Sequence, residues 1–415
     1  MSKFYFECIN CGKKYASNEV SYLCPDCEKD NTNTMPPKGV LKTIYEYDTI
    51  KSNVKPQDIF DNLEKNDFLE LLPINSKTNL PYLRVGKTPL YKIDSIDGEK
   101  IDFEIFLKDD SQNPTFSFKD RASYIVSGYA KENRINTIVA ASTGNAGSSL
   151  AGICASQKQK AIIFVPASAP KAKLTQIVMY GAQIIPVAGT YDDAFDLSIE
   201  ATKKFGWYNR NTAFNPFTIE GKKTVSFEIF SQLGKHIPDR IFVPVGDGVI
   251  ISGVYKGFED LLKLGVINKI PTIVAVQSEG SSNIINNIDN DKFVSKASNT
   301  IADSIAVDIP RNYYMAKDFI KKYKGEIVSV SDDEIMKASL TLSKNTGIFS
   351  EPAAAAAFAG ILKYKENKKI KDNSKNVVLL TGSGLKDLNS VQSLIDFPKP
   401  INPNLDDLEK ILSLL

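Results

Sequence analysis

The sequence predicts an α/β protein of two open, mostly parallel-sheet lobes behind a small cysteine-bearing N-terminal ribbon. Three observations predict this: short continuous apolar runs alternate with helix-length segments, such runs outnumber the strands of one compact sheet, and glycine-rich turns fall in separate clusters. At 415 residues the chain can hold two or three domains and bury a substantial core. Its 42% hydrophobic and 24% charged residues are those of an ordinary globular protein. A formal net charge of +2 gives no general attraction to nucleic acid or to an anionic membrane. No apolar run nears the roughly 20 residues a spanning helix needs. The start, Met1-Ser2-Lys3-Phe4-Tyr5-Phe6-Glu7, lacks the apolar region of a secretory signal, so the expected location is the cytosol.

The ribbon rests on Cys8-x2-Cys11-x12-Cys24-x2-Cys27. Two such pairs can bend around one ion and offer four thiolates, a closed tetrahedral set suited to Zn²⁺ in a structural role. Gly12 follows the first pair and Pro25 sits inside the second. Free thiols or an iron–sulfur cluster are the alternatives. A nucleic-acid-binding ribbon would need a basic surplus, whereas Lys3, Lys13, Lys14 and Lys29 face Glu7, Glu19, Asp26, Glu28 and Asp30. The ribbon reads as an appendage. The fifth cysteine, Cys154, lies in a small-residue helical stretch and reads as a buried inert thiol.

Residues 31–85 are polar and proline-punctuated, with a helix expected over Pro56–Leu72 from Ile59, Phe60, Leu63, Phe68, Leu69 and Leu72. Strands are expected at Ile105–Leu107, Thr137–Ala140, Ala161–Val165, Gln183–Val187, Arg240–Val245, Thr272–Val276 and Val377–Leu380. Ala353–Ala357 reads as a tightly packed helix. The tail 398–415 ends in an amphipathic helix (Leu408, Ile411, Leu412, Leu415) expected to clamp the domain or a partner subunit. The single histidine, His236, sits at a helix end and reads as a surface residue, which leaves no candidate for a histidine-based triad.

Three turns follow strands or open helices, where free N–H groups can hold anions. They are Ala141-Ser142-Thr143-Gly144-Asn145-Ala146-Gly147, Pro244-Val245-Gly246-Asp247-Gly248-Val249-Ile250 and Thr381-Gly382-Ser383-Gly384-Leu385-Lys386-Asp387. A dinucleotide site at the second would need the full G-x-G-x-x-G and an acidic residue ending a second strand about 20 residues on, and neither is present. Ahead of all three stands Asn113-Pro114-Thr115-Phe116-Ser117-Phe118-Lys119-Asp120-Arg121.

The ordered set, with Gly86–Leu90, Glu220–Thr224 and Ser350–Ala354, resembles the fold type II pyridoxal-phosphate (PLP) enzymes, the tryptophan synthase β group. Within them it is most similar to the threonine synthase family, some members of which also carry a cysteine ribbon. The resemblance implies Lys119 as the Schiff-base lysine and general acid/base. It implies Asn145 on the cofactor's ring hydroxyl, the main chain of Gly246, Asp247, Gly248, Val249 and Ile250 around its phosphate, and Thr381 facing its ring nitrogen. Ser142, Thr143 and Gly144 would bind the substrate α-carboxylate. A desolvated lysine suits this chemistry, because the attacking amine must be neutral. The expected division is a zinc ribbon over 1–30, a large PLP-binding lobe from 31–117 and 223–415, and a small α/β lobe over 118–222. A homodimer is the family's expectation.

Three places depart from that family's pattern. Phe116 replaces a glycine and would put an aromatic ring near the site. Asp247 brings a carboxylate to the phosphate loop, which must point away or meet a cation. In Arg210–Thr218, the residues Thr212, Ala213 and Thr218 stand where the family holds its substrate's phosphate with polar and cationic groups. Replacement cations are available in Arg210, Lys222 or Lys223. The implied reaction is conversion of O-phospho-L-homoserine and water to L-threonine and phosphate. The alternative is β-replacement or elimination on phosphoserine or a related amino acid, as in cysteate synthase, or serine/threonine ammonia-lyase activity. A sensing regulator on a retired enzyme fold would have lost the lysine or the loops, and neither is lost.

Overall fold

The four N-terminal cysteines are brought together by a three-stranded antiparallel sheet, as the computed structural model shows; it describes residues 2–392, 395 and 399–413. Its strands are β1 (Phe4–Cys8), β2 (Lys14–Ala16) and β3 (Leu41–Tyr45), in the order β2-β1-β3. Strict alternation in Phe4-Tyr5-Phe6-Glu7-Cys8 turns Phe4 and Phe6 inward, and both rings lie 5.7 Å from that of Phe217. The ribbon is therefore not an appendage. Its apolar face is part of the main hydrophobic core, because those two rings have no other place to be buried.

Helices α1 (Tyr47–Ser52) and α2 (Ile59–Lys65) follow. The helix expected through Leu72 stops early. Asp67 and Phe68 adopt left-handed φ of 52° and 58°, and only a short 3₁₀ turn, Leu69–Leu71, continues. That conformation costs about 1–2 kcal/mol per residue, offset by packing: the Phe68 ring stacks on Phe227 at 4.7 Å.

Next come β4 (Leu90–Ile96), β5 (Glu99–Asp109) and α3 (Lys119–Glu132). The chain then alternates through β6 (Thr137–Ala141), α4 (Asn145–Gln157), β7 (Lys160–Pro166), α5 (Lys171–Met179), β8 (Gln183–Val187), α6 (Tyr191–Phe205) and β9 (Tyr208–Asn209). Helices α7 (Phe217–Lys222) and α8 (Thr224–Gln232) lead to β10 (Arg240–Pro244), α9 (Val249–Lys263), β11 (Thr272–Ser278) and α10 (Tyr313–Lys322). After them come β12 (Glu326–Val330), α11 (Asp332–Thr346), α12 (Pro352–Glu366) and β13 (Lys375–Leu380). A six-stranded sheet runs β12-β11-β10-β13-β5-β4, parallel except for the β4–β5 pair. A four-stranded parallel sheet runs β8-β7-β6-β9. All seven expected strands are present; β7, β10, β11 and β13 are buried along nearly their whole length, which is why they read as unbroken apolar runs, whereas the edge strand β8 is only half-buried.

The tail forms α13 (Leu388–Val391) and α14 (Leu405–Leu412). No residue of α14 is buried, so it does not clamp the domain; Leu415 lies outside the described residues. Among the described residues no helix is long and apolar enough to cross a membrane.

Candidate active site

The lysine run is held in place from both sides of Lys119. Upstream, the side chain of Asp120 accepts from Thr115 N at 2.7 Å and Thr115 Oγ1 at 2.5 Å, closing the loop onto the start of α3. Downstream, the buried Arg121 guanidinium forks onto Asp110 (2.6 and 2.9 Å) and Glu228 (2.6 and 2.9 Å). Phe118 N donates to Thr381 O at 2.8 Å and Ser383 N to Phe116 O at 3.1 Å, which ties the run to the Thr381–Asp387 turn. Glu351 N donates to Gly382 O at 3.1 Å, adding the Ser350-Glu351-Pro352 turn to the same knot. Burial pushes the Lys119 ammonium below its ordinary range; Glu351 and Asp247 oppose the shift and Arg210 adds to it.

Around Lys119 the structure gathers the sequence candidates. Gly144 caps α4, so Ser142, Thr143 and Gly144 stand at a helix N-terminus, with Gly144 N on Ser142 Oγ at 3.2 Å. Asn145 Nδ2 donates to both oxygens of Glu351, at 3.0 and 2.9 Å. A cavity of about 270 Å³ opens here, lined among others by Thr143, Gly144, Asn145, Glu351 and Lys386. Gly246–Gly248 precedes α9, and the N–H groups of Val249 and Ile250 lie in that helix's first turn, with no intrahelical acceptor. The Asp247 carboxylate accepts from Arg311 N at 3.2 Å and lies near enough to act on Lys119 and Lys222, so cations and not distance offset its charge at this loop. Thr381 is buried at the end of β13. Phe116, at φ 68°, has its ring 46% exposed rather than packed into the site. His236 is exposed, as expected.

Two residues went unassigned in the sequence. Glu351 is buried beside Lys119, and burial raises its carboxyl against the pull of Lys119, Asn145 and Lys386. Lys386 donates to Ser148 Oγ at 2.8 Å and to Gln176, and burial lowers it to about 8. Both lie in runs that carried the family resemblance, but nothing local marks either as facing a cavity. The cysteine cluster is separate: its four Sγ atoms lie within 4.8 Å of one another.

Residues 82–382 match the family model described as pyridoxal-phosphate dependent enzyme. The chain is 34% identical to a threonine synthase of Methanocaldococcus jannaschii, an alignment covering 98% of this chain and 99% of that one. It is 33% identical to a threonine synthase of Methanosarcina acetivorans, covering 99% and 98%. The chain belongs to the threonine synthase family of pyridoxal-phosphate dependent enzymes. Among solved structures it is similar to threonine deaminase isoform 2 from Solanum lycopersicum, with a TM-score of 0.62 and 26% identity, covering 71% of this chain and 84% of that one.

The residues present fit the family's cofactor. Gly248 has φ +85°, and a Cβ there would lie 3.0 Å from Ala316 Cβ and 3.2 Å from Asn312 O, so only glycine lets the loop expose its N–H groups while its back is packed. The threonine synthase family member thus combines a glycine loop with free N–H groups at a helix start and a half-buried lysine whose ammonium burial pushes below its ordinary range. The cysteines also fit a metal: the Cys8–Cys27 and Cys11–Cys24 sulfurs are each 3.8 Å apart. A tetrahedron with Zn–S bonds of about 2.3 Å has an edge of about 3.8 Å.

Proposed function

We infer that the chain is a PLP-dependent threonine synthase, converting O-phospho-L-homoserine and water to L-threonine and phosphate by γ-elimination and β-addition. The observation that carries the reading is Lys119: a lysine amine lowered by burial and set among three anion-holding turns, in a chain alignable with threonine synthases from end to end. Bound PLP supplies an electron sink for negative charge developing on the amino acid's carbons. Lys119 Nζ is the group that takes protons from the substrate's Cα and Cβ and delivers them at Cγ, once phosphate has left, and back at Cα, a role suited to an amine that burial pushes below its ordinary range. Gly246, Asp247, Gly248, Val249 and Ile250 hold the cofactor phosphate through main-chain N–H groups, and Asn145 and Thr381 address its ring. Ser142, Thr143 and Gly144 orient the α-carboxylate at the start of α4. Phosphate departs from Cγ and water adds at Cβ.

The four cysteines hold one structural Zn²⁺ in this reading, because the set is closed and leaves no position for substrate. The expected lobes, 31–117 with 223–415 and 118–222, are supported by the two parallel sheets, whose strands fall at 90–109 with 240–380 and at 137–209, while β3 (Leu41–Tyr45) pairs in the ribbon sheet and carries the ribbon past residue 30. The test is phosphate release by the purified holoenzyme from O-phospho-L-homoserine and from O-phospho-L-serine, the latter with and without sulfite. Threonine formed from the first is the expected result. Turnover of phosphoserine alone would overturn it in favour of β-replacement or elimination.

A further inference from the structure

Six lysine and arginine side chains are at most 2% exposed: Lys108, Arg121, Arg210, Lys222, Lys223 and Lys256. Four are neutralised. Lys108 lies 2.7 Å from Glu228, Arg121 2.6 Å from Asp110 and from Glu228, Lys223 2.7 Å from Asp260, and Lys256 also pairs with Asp260. Arg210 and Lys222 have no ion pair among the described residues. Arg210 reaches only neutral oxygens: Ser123 Oγ at 3.1 Å, Thr212 Oγ1 at 3.2 Å and the Lys119 carbonyl at 3.4 Å. The Lys222 ammonium takes no hydrogen bond among those residues. A buried cation left without an anion costs several kcal/mol, so two side by side need a reason.

Their position supplies one. Arg210 is anchored on the backbone of Lys119 itself. Lys222 ends α7, and its stem is clamped by α9: a Cβ on Gly253 would come within 2.7 Å of Lys222 Cβ. Burial pushes the Lys222 amine well below its ordinary range, and Arg210 and Lys119 push it further, so the three cationic groups share one region. Asp247 is the acid that opposes the shift at Lys222, and its carboxylate is already engaged by Arg311 N; Lys119 is opposed by Glu351 as well as Asp247, and Arg210 by Asp120, which is itself held by Thr115. One helical turn before Lys222, Thr218 offers only a hydroxyl, which is spent on Asn215 O at 2.8 Å. Lys223, the third available cation, is spent on Glu220 and Asp260.

We propose that Lys222 and Arg210 form the subsite for the distal phosphate of the substrate, with Lys222 a residue that sets specificity for a dianionic leaving group. The proposal rests on the threonine synthase reading. Two unpaired buried donors receive the dianion as it leaves, where charge-assisted hydrogen bonds are strongest.

The test compares wild-type holoenzyme with Lys222→Gln, and with Lys222→Met should the amide not be accommodated. KM for O-phospho-L-homoserine is expected to rise about 10- to 100-fold. Direct calorimetric binding of inorganic phosphate is expected to be lost, together with the proton uptake that accompanies it in the wild type. Cofactor content, read from visible absorbance, stays as in the wild type. An unchanged KM and unchanged phosphate affinity would overturn the proposal, as would weakened retention of the cofactor with substrate KM unaltered. A wild-type enzyme inert toward O-phospho-L-homoserine would instead overturn the functional reading, so the two failures are separable.

Discussion

Replacing Arg121 by methionine should destabilise the holoenzyme by about 3–5 kcal/mol at pH 7. The magnitude comes from what the guanidinium holds. Burial alone would raise the Glu228 carboxyl, yet Arg121 and Lys108 override it and hold it down at about 2, against an ordinary 4.5. At about 1.4 kcal/mol per unit, that depression is worth roughly 3 kcal/mol, shared between the two cations. Asp110, 0% exposed, loses its only ion-pair partner among the described residues as well, and an uncompensated buried carboxylate adds to the loss. Because the folded pKa of Glu228 is depressed, its contribution is complete above 4.5 and fades as pH falls through 2. The deficit of Arg121→Met is therefore greatest near neutrality and narrows in acid, where the Glu228 carboxylate of the variant protonates before that of the wild type. Denaturant unfolding of wild type and variant between pH 3 and 7 measures both. A loss below about 1 kcal/mol at pH 7, or a deficit that widens in acid, would refute the reasoning.

Lys119→Ala should lower turnover by about 10²–10⁴-fold and abolish the visible absorbance of the bound cofactor, and a variant that keeps either would remove Lys119 from its role. Cys24→Ser should lose the one zinc per chain that elemental analysis of the wild type is expected to find; metal-free wild-type protein would sink the zinc site. Phe116→Gly should raise stability by about 1 kcal/mol, because Phe116 holds φ at 68° while 46% exposed. A fall in the denaturation midpoint would mean that the ring packs more than its exposure implies.

Where a segment's pattern was decided by burial alone, the sequence was legible. The runs in β7, β10, β11 and β13 are apolar because both sheet faces are covered, and their helices follow from the spacing between them. Strands decided by tertiary contact were not. β9 is two residues long, β12 is an edge strand with mostly half-buried residues, and β1 is a five-residue strand not expected from the sequence. Phe68 shows the limit of periodicity: it falls on the apolar face of a longer helix, yet a ring contact with Phe227 outweighs the backbone preference. At the site, turns and lysine announced themselves through glycine and motif spacing. Glu351 and Lys386 did not, nor did the choice between Lys222 and Lys223, because what distinguishes them is which charges lie nearby, and that is fixed by contacts up to 271 residues apart.

Lys222 and Lys223 are adjacent in sequence and almost equally buried, yet they belong to opposite classes of buried charge. Lys223 sits in a neutralised cluster with Glu220, Asp260 and Lys256, its ammonium 4.1 Å from the centre of the Tyr45 ring. The ribbon sheet joins this cluster: Tyr45 donates to Glu220 at 2.7 Å, and Lys42 pairs with Glu259 at 2.5 Å. Those contacts pin α7 and α9 to each other and to the ribbon. Breaking the Lys223 pair should therefore cost about 3–5 kcal/mol. Removing Lys222 breaks no pair and relieves a desolvated amine crowded by Lys119 and Arg210. Lys222→Gln should leave the denaturation midpoint unchanged or higher while it loses phosphate, the usual mark of a group kept for binding at the expense of the fold. Should both variants destabilise equally, Lys222 would be a structural residue after all.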